Sequence, residues 1–510
     1  MLSQVNFTDL YSGSLTRLVI VLIFFFIIIT SVSSWYRRGQ ASNVPMYADG
    51  DHALLSFNKR WMFDSANLLR EGYYKYYEKP FRVWTSQGEQ ISLPPKYIDG
   101  LKMLPDHTFT SQLREFMQVA YTMNPIGPEM LDYVDGVISS DLNRNLAKVF
   151  PNLQGEIDAA FPAEIPSSPD WTSVTVYGTV LRLICRISGR MSVGPELNRN
   201  TEWIDISSEW TRNVFISAVK LKMLPKILRP IGSYFIPEIK KCRRQNIRAR
   251  ELLQPIIQKR EREEVLPGYE KPNDAIEWLR DAVPEDDKEN YTFFGIGQLA
   301  IGALSIHTVS HLTTNVFLNL AAYPEYVPIL REEYENISKE CGNEFTLESM
   351  AKLKKLDSFL NETLRCNNLS LVSFQRRALR PITLYDGTVL PAGSLVFAPA
   401  NAISTDNALF PNGDTFDGLR FYKLRESSPE TKNKHQLTSI GNTQLHFGAG
   451  RHACPGRWYA TSEIKLIVVN LLSKYDLKLR DGEKRPESIR FQHRNAPDPK
   501  AQVLFRERRV

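Results

Sequence analysis

Leu18 to Ile29 is an unbroken apolar run, and no charged residue occurs from Leu18 to Tyr36. As a helix this stretch would reach about 28 Å, close to the hydrocarbon thickness of a bilayer. Trp35 and Tyr36 sit where an interfacial aromatic belt would lie, and Arg37 and Arg38 follow at once. Only Arg17 and Asp9 lie close on the other side, so the positive-inside rule places the main body in the cytosol. The rival reading is a cleaved signal peptide, disfavoured by the length of the apolar region and the lack of a clear small-x-small cleavage site. The pattern predicts a short lumenal segment at 1–17, a transmembrane anchor at 18–36 and a cytosolic domain at 37–510. Asn6 opens a glycosylation sequon that would face the lumen close to the membrane.

Beyond the anchor the apolar period changes. Phe81–Thr85 and Gly88 onward alternate as a hairpin, and residues 128 to 260 read as mostly helical with polar breaks. Met223 to Pro237 mixes apolar, aromatic and basic residues and is broken by Pro225, Pro230 and Pro237. Phe293 to Ala322 is apolar almost all round, which predicts a helix buried on every side. Small and hydroxyl residues interrupt it, and positions 300, 303, 304, 307, 308 and 311 share one face. That face suits a flat ligand, or helix packing with back-bonded Ser and Thr. A metal pair from His307 and His311 lacks a carboxylate or third histidine at matching spacing. Pro324 starts a further amphipathic helix to about Cys341, and Leu353 to Cys366 forms another. Phe374 onward and Ile382 to Gly393 read as strands, the latter turning at Asp386-Gly387.

The chain has 510 residues, 43% hydrophobic, enough for a large core. A net charge of +6 is spread along it. It suits a membrane surface or an acidic protein partner and gives no reason to expect nucleic acid. Cys185, Cys242, Cys341, Cys366 and Cys454 show no paired spacing, so neither a disulfide framework nor a zinc site is expected.

Cys454 stands apart, inside the glycine-rich stretch Phe447-Gly-Ala-Gly-Arg-His-Ala-Cys454-Pro-Gly456 with an apolar helix following. Taken alone it reads either as a small core residue or as a thiolate metal ligand. Gly448, Gly450 and Gly456 permit close backbone approach to a flat cofactor. Nearby N–H groups and the following helix would favour thiolate, and Pro455 fits that helix's first turn. Phe447 can shield the loop, and Arg451 and His452 can reach an anionic cofactor edge.

This stretch resembles the proximal loop of the cytochrome P-450 superfamily, Phe-x-x-Gly-x-Arg-x-Cys-x-Gly, with His452 at the pattern's arginine. Three further landmarks fall in the family's order. Leu304 to Val309 aligns with the oxygen-helix motif, Thr308 matching its threonine and His307 replacing its acid. Glu362-Thr-Leu-Arg365 matches the Glu-x-x-Arg helix, and Arg420, in Phe416 to Phe421, matches the arginine of the following meander. The helix with His307-Thr308 is similar to those of fungal terpenoid oxidases of the ent-kaurene oxidase type.

The resemblance implies a mainly α fold with a smaller β part, the cytochrome P-450 fold, carried by one N-terminal transmembrane helix. It implies haem b, its iron ligated by the Cys454 thiolate, with Phe447, Gly450, His452 and Arg376 at the cofactor. Arg376 stands where the family often places a propionate partner, and Arg144 is the candidate for the arginine of the N-terminal Trp-x-x-x-Arg segment. Thr308, with His307, would relay protons, while Glu362, Arg365 and Arg420 would lock the haem-seating face. No dinucleotide or flavin motif is present, so electrons are expected from an NADPH-cytochrome reductase docking near Arg451, Arg457 and Lys465. The implied activity is a monooxygenase of the endoplasmic reticulum membrane, catalytic domain facing the cytosol. It would use dioxygen on a small hydrophobic substrate, a terpenoid or meroterpenoid of a fungal pathway. In the same family Met223 to Pro237 would be a membrane-dipping lid, or else a packed helical corner. Two rival activities are a haem-thiolate isomerase or dehydratase needing no outside electrons, which the presence of Thr308 disfavours, and an oxidase of a polyketide. A non-catalytic haem sensor is disfavoured by the intact loop and long helix.

Overall fold

The computed structural model describes residues 43–47, 54–111, 113–342 and 344–508. The expected anchor at 18–36 and Asn6 lie outside the described residues. Two helices, α1 (Leu54–Phe63) and α2 (Ser65–Lys75), lead to β1 (Phe81–Thr85), β2 (Gly88–Ser92) and β3 (Phe109–Ser111). Then come α3 (Leu142–Glu164), β4 (Thr172–Thr175), α4 (Val176–Ser192), α5 (Thr201–Met223), α6 (Pro237–Glu264), α7 (Ala275–Ala282) and α8 (Tyr291–Ala322). The chain continues through α9 (Tyr326–Glu340), α10 (Lys354–Cys366), β5 (Ser373–Ala378), β6 (Ile382–Thr383), β7 (Val389–Leu390) and β8 (Leu395–Ala398). It closes with α11 (Arg420–Glu426), α12 (Arg457–Lys474), β9 (Tyr475–Lys478), β10 (Ile489–Phe491), β11 (Arg494–Ala496) and β12 (Gln502–Glu507). Shorter helical turns carry no label. Helix dominates, as expected, and strands gather in a smaller part.

The predicted hairpin forms as β1–β2, in register from Phe81↔Ser92 to Thr85↔Gly88. Phe81, Val83 and Thr85 turn inward while Arg82 and Trp84 alternate with them, the period of a half-buried strand. The hairpin joins a five-stranded sheet ordered β1-β2-β8-β5-β3, in which only β2 and β8 pair in parallel. β4, β12 and β9 form an antiparallel three-stranded sheet, and β6–β7 and β10–β11 are separate hairpins. Gly387 turns β6 into β7 with φ +82°, a conformation that favours glycine.

α8 runs through the middle of the largest apolar cluster, packed by α4, α5 and α6. It starts where Asn290 Oδ1 accepts the Phe293 N–H at 3.1 Å, a side-chain N-cap. Among the described residues it is the one helix long and apolar enough to cross a membrane, but most of it is buried in the protein. The continuous apolar pattern therefore marks a central core helix.

Met223 to Pro237 is the corner between α5 and α6, made of two short helical turns at Lys226–Leu228 and Arg229–Gly232. Pro237 opens α6 from its first turn, where a missing N–H costs nothing. This corner is not closed over by the fold: Met223 is 79% exposed, Ile227 80% and Phe235 77%.

Candidate active site

A cavity of about 510 Å³ lies between α8 and the loop that precedes α12. Its α8 wall presents Ile301, Leu304, Ser305, Thr308, Val309, His311 and Leu312. The glycine-rich loop lines the same cavity, with Phe447, Gly448, His452, Cys454 and Gly456. Cys454 is the sole one of the five cysteines on the cavity. Cys185 and Cys242 are buried elsewhere, and Cys366 lies beside the Glu362–Arg365 pair. A flat group held in this cavity would meet both the loop that carries the sulfur and the face of α8 that carries Thr308.

The loop is shaped by backbone constraints. Gly448 and Gly450 have φ of +75° and +63°. A Cβ on Gly450 would stand 2.1 Å from the Lys102 carbonyl oxygen, so no side chain fits there. Gly450 is thus packed on the segment after β2 instead of forming the cavity wall, which Gly448 and Gly456 provide. The Cys454 N–H donates to the Phe447 carbonyl at 2.7 Å, closing the turn. α12 begins at Arg457 with Gly456 as its cap, so Pro455 falls just before the helix and not in its first turn. Burial pushes the Cys454 thiol up, outweighing the Gly456 N–H and the Arg457 charge that favour thiolate. In the chain alone the loop shelters the sulfur more than it ionises it, and a metal charge would have to complete the stabilisation.

The Glu-x-x-Arg helix and the meander meet as expected. Glu362 is fully buried in α10, and its carboxylate accepts Arg365 Nε and Nη2, each at 2.7 Å. Arg420 Nε reaches the same carboxylate at 3.1 and 3.2 Å, and the Asp417 N–H adds a bond of 2.9 Å. The carbonyls of Ser404, Gly413 and Thr415 take the remaining Arg365 donors, while those of Pro411, Asn412 and Thr415 take Arg420's. Two buried guanidiniums on one carboxylate tie α10 to α11 and to the segment between β8 and α11.

Thr308 and His307 part company. Thr308 lies on the cavity, and its Oγ1 donates back to the Leu304 carbonyl at 3.0 Å. His307 is not brought to the cavity. Its Nε2 donates to the Ser208 carbonyl of α5 at 3.0 Å, and its Nδ1 accepts from Tyr177 at 3.4 Å. Adjacent residues on a helix point about 100° apart, and α8 turns Thr308 inward. Desolvation lowers the His307 pKa, so the ring is a neutral link between α8, α4 and α5. His311, one turn beyond Thr308, is the α8 histidine on the chamber wall. Its Nε2 donates to the Asn367 carbonyl at 2.8 Å, and burial holds its pKa near 4.

Arg376 lies on β5 at the cavity, its guanidinium over the Phe374 ring at 4.8 Å. Nη1 donates to the neighbouring Gln375 carbonyl at 2.9 Å. Burial drives its pKa down to about 10, opposed by Asp106. His452 shares that acid, with Nε2 2.6 Å from Asp106 Oδ1. A desolvated guanidinium on the same chamber as the cysteine loop is a seat for an anionic cofactor edge. These residues fit a propionate-bearing haem. His446 is a further wall residue that sequence reasoning missed, half-buried, with its pKa lowered by desolvation to about 4.

Two other expectations fail. Arg144 faces solvent on α3 and pairs with Asp141 at 3.1 Å, away from the cavity. Lys465 is buried in α12, where it bonds Asp357 Oδ1 at 2.8 Å and the Met350 carbonyl at 3.0 Å. It offers no surface charge to a partner. Arg451 remains exposed, and Arg457 stacks on Trp458 at 3.5 Å while donating to the Cys454 carbonyl at 2.7 Å.

The Cytochrome P450 family model matches residues 169–505. The chain belongs to the cytochrome P450 family. This P450 is 38% identical over 459 residues to Cytochrome P450 monooxygenase BOA4 of Botryotinia fuckeliana, covering 89% of this chain and 92% of that one. It is 36% identical to Cytochrome P450 monooxygenase AN1598 of Emericella nidulans, over 87% of this chain and 83% of that one. Among solved structures, retinoic acid-bound cyanobacterial CYP120A1 superposes with a TM-score of 0.65 at 16% identity. The match covers 88% of this chain and 97% of that one, and it speaks for the fold alone. The P450 is a monooxygenase, and its family carries a cysteine-ligated haem iron.

Proposed function

We propose that Cys454 ligates haem b and that the enzyme oxidises, once or in several steps, a small hydrophobic secondary metabolite of terpenoid or meroterpenoid type. The observation that carries the haem assignment is that Cys454, alone among the cysteines, lines the same chamber as Thr308. The fungal origin of the relatives supports a place in fungal secondary metabolism.

A haem bound there supplies dioxygen activation and C–H oxidation. The chain's own residues do the rest. Phe447 and the glycine turns keep water from the sulfur, and the Gly456 N–H and Arg457 favour its charged form. Arg376 takes a propionate. The Thr308 hydroxyl, bonded back to Leu304, is held where it can accept a proton from chamber water and pass one on. The apolar wall of Ile301, Leu304, Val309 and Leu312 orients the substrate and excludes bulk solvent.

Electrons come from an NADPH-cytochrome reductase that docks at the face bearing Arg451 and Arg457. The enzyme is anchored in the endoplasmic reticulum membrane through residues 18–36, body in the cytosol. The exposed apolar corner of Met223, Ile227, Ile231 and Phe235 supports this, because such a patch suits a lipid surface. The assignment of Cys454 is tested by reducing the purified protein under carbon monoxide. The wild type gives the red-shifted absorption band of a thiolate-ligated complex, and Cys454→Ala does not. An unchanged band in Cys454→Ala refutes the assignment.

A further inference from the structure

The middle of α8 presents one large side chain to the chamber. Within Ala300 to Leu312, Leu304 and Thr308 are the two exposed residues, and both line the cavity. Ala300, Ile301, Ala303, Ile306, Val309 and Leu312 are each 7% exposed or less, whereas Leu304 is 38% exposed. Core packing therefore does not account for Leu304, which keeps much of its surface clear of the fold on the wall of a mostly apolar chamber. Leu304 stands four residues before Thr308, so the two share a face with Cβ atoms about 5–6 Å apart. Helical side chains lean toward the N-terminus, which lays Thr308 over the Leu304 turn. The Thr308 hydroxyl accordingly reaches the Leu304 carbonyl at 3.0 Å and the Ser305 carbonyl at 3.1 Å. Ser305, the other chamber residue of this turn, is small, and its hydroxyl is bonded back to the Ile301 and Gly302 carbonyls, each at 3.3 Å. The bulk beside the Thr308 hydroxyl on α8 thus belongs to Leu304.

We propose that Leu304 determines which carbon of the substrate is oxidised, by admitting an unbranched end to the Thr308 turn and rejecting a branched one; this rests on reading the cavity as the haem and substrate chamber. The carbon that reacts must come close to Thr308, and any group that close also meets Leu304. With no polar atom in its side chain, Leu304 discriminates by shape alone. A methyl or methylene carbon at the end of an apolar body fits beside its two methyl groups. A carbon flanked by a branch brings extra methyl groups into the same space, and overpacking of that kind weakens binding by about ten-fold. The enzyme would accordingly oxidise an unhindered methyl or methylene group of its hydrophobic substrate.

The test uses 1-butylimidazole and 1-tert-butylimidazole, which share their atoms and their ligating nitrogen and differ in branching alone. Each is titrated into the haem-loaded protein by the haem absorption shift. The wild type is expected to bind the straight-chain ligand about ten-fold more tightly. In Leu304→Ala, which keeps the backbone carbonyl that holds Thr308, the ratio falls to unity through a gain for the branched ligand. Leu395→Ala, which trims a half-buried leucine elsewhere on the chamber wall, keeps the wild-type ratio. Equal affinities in the wild type overturn the proposal, as does a preference that survives in Leu304→Ala or one that Leu395→Ala also erases. The carbon monoxide band of each variant checks its fold, and a variant that loses the band is replaced by Leu304→Val or Leu395→Val. A wild type with neither that band nor a shift with plain imidazole overturns the haem reading and this selection with it. A normal band without a branching preference overturns the selection alone.

Discussion

Replacing Glu362 by Gln keeps its shape and removes the one negative charge that two buried arginines share. The amide offers a single acceptor oxygen where the carboxylate took two bonds from Arg365, two from Arg420 and one from the Asp417 N–H. Its NH2 would face guanidinium N–H groups, donor against donor. Breaking one buried ion pair from one side costs about 3–5 kcal/mol. The cost is not doubled for the second arginine, because both guanidiniums keep their backbone carbonyl partners. A loss of about 3–5 kcal/mol is therefore expected. Pulse proteolysis in graded urea measures it, since cleavage reports the unfolded population. Haem retention, read from the carbon monoxide band, should fall with it, as α10, α11 and the loop before α12 lose their common tie. A loss under about 1 kcal/mol, the worth of an exposed pair, with haem fully retained, would refute the view that this carboxylate neutralises the network.

Thr308→Ala should cut product formation by about 10²-fold, the low end for a positioned proton-transfer group, while NADPH consumption continues and peroxide accumulates; the ratio of product to NADPH checks it. His307→Gln should leave that ratio unchanged, because His307 bonds Ser208 and Tyr177 outside the chamber; a loss of coupling equal to that of Thr308→Ala would return it to the relay.

What could be read from the sequence was what short segments decide by themselves. The cysteine loop needs its glycines because the backbone turns at positive φ at Gly448 and Gly450, a local demand, to which the press of Gly450 on Lys102 adds a tertiary one. Glu362 and Arg365 meet because three residues make most of a helical turn, and Arg420 followed from its place in the family's order. The errors came where tertiary packing chooses among residues that the pattern treats alike. Apolar residues all round α8 announce a buried helix but hide which side meets the cavity. His307 and Thr308 are neighbours in sequence, and a rotation of one residue's arc sends one to α5 and the other to the chamber. Lys465 reads as a surface charge on α12 until Asp357 of α10 is seen to neutralise it inside. The cofactor's side of the chamber is thus written in contiguous motifs, because every member must hold the same group. The other side, with Thr308 and the apolar α8 residues, depends on how α8 is rotated in its packing, which pattern alone does not fix.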